Sequence, residues 1–216
     1  LGNFGNPRAN WKVKVMKKLI IALVLTSSLV FLTACDAGVA AQIGDTKISQ
    51  DKVQSRVAEI LAERRNVNTS QMQISVGEEL NRSELRFLVI SAIFEKLAKQ
   101  NGLTITKAMK DARKVEIYQA IGGATNLSNA LISAQMAPSD FDLYVQSLLI
   151  SDSLVAKAKA AGVADANTGA AIQQLVMALT KKEGIRINPQ YGAWDLAGAD
   201  LVSFDSAGTA VKTLTA

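Results

Sequence analysis

Cys35 is the chain's single cysteine, and there is no histidine among the 216 residues. One thiol cannot close a disulfide within the chain. Without histidine, a Ser-His-Asp or Cys-His arrangement is excluded, and so is a zinc site with imidazole ligands. Carboxylates are what remain for acid–base work, and two close pairs stand out, Glu78-Glu79 and Asp140/Asp142. Neighbours on a loop or in a first helical turn read better as exposed charge, or as partners of the helix dipole, than as an active site. The expectation is a protein that is not an enzyme and needs no metal or organic cofactor. Charge narrows the field further. The 24 basic and 19 acidic residues sum to +5, but Arg8, Lys12, Lys14, Lys17 and Lys18 all precede Cys35, with no acid among them. From Cys35 onward the chain is neutral, which is not the footprint of a nucleic-acid binder. Aromatic residues are only 5% of the chain, too sparse for a groove that stacks sugars or bases.

The one thiol sits in a telling place. Met16-Lys17-Lys18 is followed by an uncharged apolar run and then by Leu32-Thr33-Ala34-Cys35. Residues 19–34 are short of the roughly 20 apolar residues that a helix needs to cross a bilayer. Positive start, apolar middle and small residues follow the order of a secretion signal, which makes residues 1–15 upstream of a signal complete from Met16. The tetrad resembles the lipobox of bacterial lipoproteins. That resemblance implies that the Cys35 thiol receives a diacylglycerol and that the chain is cut just before it. Acyl burial at about 0.8 kcal/mol per CH₂ makes two or more chains a stable anchor. The expected organisation is a leader over 1–34, a folded domain over 35–202 and a flexible tail over 203–216.

Positioning falls to the helices between. Residues 39–43 and 46–48 read as short strands about a Gly44-Asp45 turn. Ser49 is a natural N-cap, with Ile48 and Val53 spaced as a hydrophobic staple. Val53, Val57, Ile60 and Leu61 make the stripe of a first helix, which fades at Arg64-Arg65. A loop over 66–80 follows. Asn81 with Glu84 is spaced as a capping box for a second helix. That helix is apolar over a wide arc (Leu85, Leu88, Val89, Ala92, Ile93, Leu97) and therefore central. Thr106 caps a third helix, stopped by Gly122-Gly123. A fourth covers about 126–136. Pro138-Ser139 opens a fifth, with Phe141, Tyr144, Val145, Leu148 and Leu149 on one face. A sixth carries Ile172, Leu175, Val176 and Leu179 and ends at Lys181-Lys182. Residues 185–195 read as a short strand broken by turns. The fold class is mainly α, with five to six helices and a small two-stranded β element joining the N- and C-terminal segments.

Both ends of this domain carry a resemblance. Residues 40–49, running into an amphipathic helix soon after Cys35, resemble the start of SurA-type and PrsA-type extracytoplasmic foldases. Asn188-Pro189-Gln190-Tyr191-Gly192-Ala193-Trp194-Asp195 resembles the closing motif of small SurA N-terminal-domain lipoproteins, where arginine usually stands at the position of Gln190. The resemblance implies a helical body that cradles unfolded polypeptide. The parvulin isomerase domain of larger members is not expected in these residues, for want of both room and histidine. It implies as partners the unfolded or nascent exported proteins, together with the membrane through lipid on Cys35, at the extracytoplasmic face. Met109, Met136, Phe141 and Tyr144 are the candidate client-binding residues, methionine being adaptable at promiscuous surfaces, although Met72, Met109, Met136 and Met177 also read as scattered core residues. Tyr191 and Trp194 read as a packed corner in preference to a contact surface, and Arg64-Arg65 and Lys181-Lys182 as solvated helix ends in preference to lipid contacts. The alternative function is a structural or adaptor lipoprotein bound to one envelope partner.

Overall fold

The computed structural model describes residues 38–204 apart from 66 and 71. Cys35, the Leu32-Thr33-Ala34 tetrad and residues 205–216 lie outside the described residues. The chain opens with β1 (Val39–Ile43) and β2 (Thr46–Ser49), an antiparallel hairpin about Gly44-Asp45. Six helices follow: α1 (Gln50–Arg64), α2 (Gly77–Gln100), α3 (Lys107–Ala120), α4 (Leu127–Ser133), α5 (Phe141–Ala160) and α6 (Thr168–Glu183). Then come β3 (Ile185–Ile187), β4 (Ala193–Asp195) and β5 (Asp200–Val202).

The start of the domain is bound to its end by main-chain pairing. β3 lies antiparallel on the far side of β1, giving the order β2-β1-β3. The β element is therefore larger than two strands, and β4 and β5 add a separate hairpin. Lys96 of α2 reinforces the junction: its ammonium bonds Asp45 in the β1–β2 turn at 2.6 Å and Glu183 at the end of α6 at 2.8 Å.

α2 is the central helix, as its wide apolar arc requires. Leu80, Leu85, Leu88, Val89, Ile93 and Leu97 are all buried, against β1, α1, α5 and α6. Where α2 meets α5, a buried Ser147 hydroxyl donates to Ser91 at 3.1 Å, small side chains whose polar atoms satisfy each other. α1 begins as expected, with the Ser49 hydroxyl accepting from Lys52 N at 3.1 Å, and buries Val53, Val57 and Ile60 while Leu61 stays exposed.

The start of α2 is a correction. The helix begins at Gly77, four residues before Asn81, and Val76 occupies the cap position without a side-chain bond. Asn81, the helix's fifth residue, bonds back to Gly77 O, and the buried Glu84 is its eighth, so the capping box does not form. The extra turn places Leu80 in the core, and Glu78 and Glu79 lie in the first turn, where acids favour a helix N-terminus.

A second correction concerns Arg64. It is buried, not solvated: its guanidinium donates to Ser75 O at 2.8 Å and to Gln135 Oε1 at 3.1 Å, tying the loop after α1 to the end of α4. Arg65, Lys181 and Lys182 are exposed.

Candidate functional site

α3 differs from the five other α-helices described above in having no buried residue. Its ends follow from the sequence: the Thr106 hydroxyl accepts from Met109 N at 3.2 Å. The preceding Gly102 and following Gly122 and Gly123 adopt φ of +63°, +80° and +119°, conformations that glycine takes without strain. The face toward α5 carries Lys110, Arg113, Lys114, Ile117 and Tyr118, all half-buried. Three cations on this face reach across to α5, Lys110 and Lys114 to Asp142 at 2.5 and 2.7 Å and Arg113 to Asp152 at 2.6 Å. Hydrogen bonds from Lys110 and Lys114 hold the Asp142 carboxyl below the usual carboxylate range.

Beneath those ion pairs lies a second apolar cluster, separate from the main core. Leu131 of α4 and Phe141, Val145 and Leu149 of α5 are buried in it, flanked by Ile117, Tyr118, Met136 and Tyr144. The Tyr118 and Phe141 rings stack at 6.0 Å between centroids. The outer face of α3 presents Ala108, Met109, Ala112 and Val115 to solvent, with Met109 38% and Val115 52% exposed. α3 thus has apolar surface on both sides and is fastened by half-buried Ile117 and Tyr118 and by solvent-accessible ion pairs, each worth little.

The structure distributes the four candidate client-binding residues unevenly. Phe141 is buried in the second apolar cluster, Met136 and Tyr144 are half-buried at its edge, and Met109 lies exposed on the outer face of α3.

One group of charged side chains escaped the sequence reading. Arg56 and Glu59 of α1, Glu84 of α2, and Ser139 and Asp140 of the turn before α5 meet at the junction of those elements. Asp140 is 1% and Glu84 3% exposed. This corrects the reading of Asp140 as exposed charge; Asp142 does lie at the surface. Arg56 Nε sits 3.0 Å from Asp140 Oδ1, and Nη1 lies 2.8 Å from Glu59 Oε1 and also donates to Ser139 Oγ. The Ser139 hydroxyl and backbone N–H donate to Glu59 in turn. Burial works against the Glu59 charge, but the bonds from Ser139 and Arg56 outweigh it and hold Glu59 below its ordinary value. Burial, the Asp140 charge beside it and their shared hydrogen bond push Glu84 up to about 8. Burial also raises Asp140. Three carboxyls thus gather about one guanidinium. Among the described residues, no group of three or more His, Cys, Asp or Glu side chains is placed to hold a metal ion.

At the opposite corner, Asn188 donates from its backbone N–H to Ala40 O at 2.8 Å and from its side chain to Val39 O at 3.3 Å. Tyr191 is buried in the main core and Trp194 packs against it. Asp195 accepts from Ala197 N and Gly198 N at 2.9 and 3.0 Å, turning the chain into β5. Gln190 is exposed, and its backbone N–H donates to Asn188 Oδ1 at 3.2 Å.

A model of the SurA-like N-terminal domain matches residues 4–155. The chain belongs to that family. It is a chaperone-like, extracytoplasmic family, and its N-terminal module is non-catalytic. The SurA-like match runs from residue 4 through most of α5 and so includes α3, much of the second apolar cluster and the buried charge cluster. It stops before α6 and the closing segment. No curated protein and no solved structure matches the chain. Among the described residues, no helix of this SurA-like domain is long and apolar enough to cross a membrane.

Proposed function

We propose that this chain is a lipid-anchored holdase: it binds unfolded exported polypeptides at the α3–α5 cleft without isomerase chemistry, and a diacylglycerol on Cys35 keeps it at the extracytoplasmic face of the cell membrane. The observation that carries the reading is α3, a helix with nothing buried, apolar on both faces and bracketed by glycines, resting on an apolar cluster of its own. Swinging α3 away uncovers Phe141, Val145, Leu149 and Leu131, and a client's apolar side chains can replace it there. Apolar burial at about 25 cal/mol per Å² drives that exchange, and membrane anchoring raises the effective concentration of the domain where clients emerge. Met136 and Tyr144 at the walls suit clients of varied shape, since methionine adapts and tyrosine offers an apolar body with a polar tip.

The test is suppression of aggregation. The chain from residue 36 onward, added at near-stoichiometric ratio to several unrelated unfolded proteins, is expected to hold all of them in solution. A Tyr144→Glu or Met136→Glu variant, correctly folded by circular dichroism, is expected to lose that effect. Failure with every client would overturn the reading. Retention of [³H]palmitate by the wild-type chain and its loss in Cys35→Ser tests the anchor.

A further inference from the structure

The buried charge cluster lies one residue from the cleft. Asp140 ends the Pro138–Asp140 turn, and the next residue, Phe141, begins α5 and fills the floor beneath α3. The position of Phe141 is therefore set by what holds Asp140. Every charged group around it can be named. α1 supplies Arg56 and Glu59, with Lys52 one turn earlier; α2 supplies Glu84; α4 carries no titratable side chain. Arg56 is the only guanidinium, and it also bonds Glu59 and Ser139. Glu84 Oε1 and Asp140 Oδ2 are buried and receive no bond from any N–H or hydroxyl donor. A proton between the two carboxyls satisfies both. Its loss leaves two like charges in contact in a dry site, which is among the costliest arrangements a fold can hold.

We propose that Glu84 and Asp140 share one proton and that this proton positions Phe141, so that the α3–α5 cleft is closed when the pair is protonated and loosened when it ionises. Glu84 and Asp140 are positioning residues: neither reaches the cleft, and they act through the turn that carries Phe141. Alkaline conditions then favour an open cleft and mildly acidic conditions a closed one. Only the consequence for clients rests on the holdase reading; the coupling of proton to ring does not.

The experiment follows three signals across pH 5–9 in the full chain held in a mild detergent: the Glu84 side-chain carboxyl by carbon NMR, the Phe141 and Tyr118 ring resonances, and hydrogen exchange of the α3 amides. Glu84 is expected to stay protonated through neutral pH. The Phe141 and Tyr118 rings should shift with the same midpoint as Glu84. Corrected for its intrinsic pH dependence, α3 exchange should rise about tenfold above that midpoint, the equivalent of one pKa unit of coupling. Glu84→Gln and Asp140→Asn should each abolish the shift and keep α3 slow throughout. A Glu84 carboxyl already ionised at pH 6 would overturn the proposal, as would rings that stay fixed while Glu84 titrates. The wild-type titration decides the matter even where a variant does not fold. Absence of client holding at every pH, with the ring coupling intact, would count against the holdase reading alone.

Discussion

Gly192 and Gln190 are two residues apart in the closing segment and carry opposite expectations. A Cβ on Gly192, whose φ is +119°, would sit 2.0 Å from the Val202 carbonyl oxygen, a backbone atom that cannot give way. Gly192→Ala should cost about 3 kcal/mol or more, from the clash added to a strained backbone. Gln190→Arg, which restores the residue usual in the motif, should change stability by less than about 0.5 kcal/mol, since the residue is exposed at the surface. Urea unfolding of both variants checks the pair. Glu84 sets a pH dependence. Its ordinary value is 4.5 and the fold raises it to about 8. Between those limits the folded state keeps a proton that the unfolded chain has lost, so stability falls as pH rises, by at most about 1.4 kcal/mol per unit. Below about 4.5 this contribution is absent, and above about 8 it is constant. Glu84→Gln should flatten that slope, read as the difference between urea midpoints at pH 5 and 8.5. The role of Glu84 was hidden from the sequence because its partner is remote. Spacing from Asn81 to Glu84 matches a capping box, whereas Asp140, far along the chain, decides where the carboxyl goes.

Local signals located most of the elements. Ser49 and Thr106 cap the helices whose spacing named them, the glycine pair stops α3, and the wide apolar arc of α2 does mark the centre of the fold. These signals depend on residues within a turn or two of each other. The β4–β5 hairpin had no such mark: β5 is three residues long, and its place is fixed by long-range contacts, including Arg86 of α2 on Asp200. That α3 buries no residue was equally unreadable, because the side chains of its inner face look like any amphipathic stripe until the depth of the layer beneath is known. A helix held by exposed pairs and half-buried side chains opens locally before the domain unfolds. Native-state hydrogen exchange should therefore find α3 the least protected helix longer than ten residues. Asp142→Asn removes the shared partner of Lys110 and Lys114 and should speed exchange in α3 while leaving the global melting temperature nearly unchanged. Equal protection of α3 and α2 would show that the arm is not an independent element.

At the scale of the molecule, the two ends of the domain depend on each other. β1 is paired on one edge by β2 and on the other by β3. Val176, Leu179, Tyr191 and Leu201 all belong to the main core. A chain cut at residue 155, where the family match ends, leaves one edge of β1 bare and opens the core along α2. Residues 38–155 alone should give no cooperative unfolding transition, whereas residues 38–204 should melt as one unit; calorimetry of the two fragments checks this. The resemblance at both ends of the sequence fits that closure: Asn188 bonds the β1 backbone, and Tyr191 and Trp194 pack in or against the main core. The client surface proposed above lies instead in the middle of the chain, where the pattern is only a succession of helices.

The claim on which the account turns is that unfolded chains enter beneath α3. A photo-crosslinking amino acid at position 144, in the cleft wall, tests it against the same probe at exposed position 54 on α1. The account predicts crosslinks from position 144 to several unfolded proteins, few from position 54, and none from either to the same proteins once folded. Equal crosslinking from both positions, or none from position 144, would contradict it.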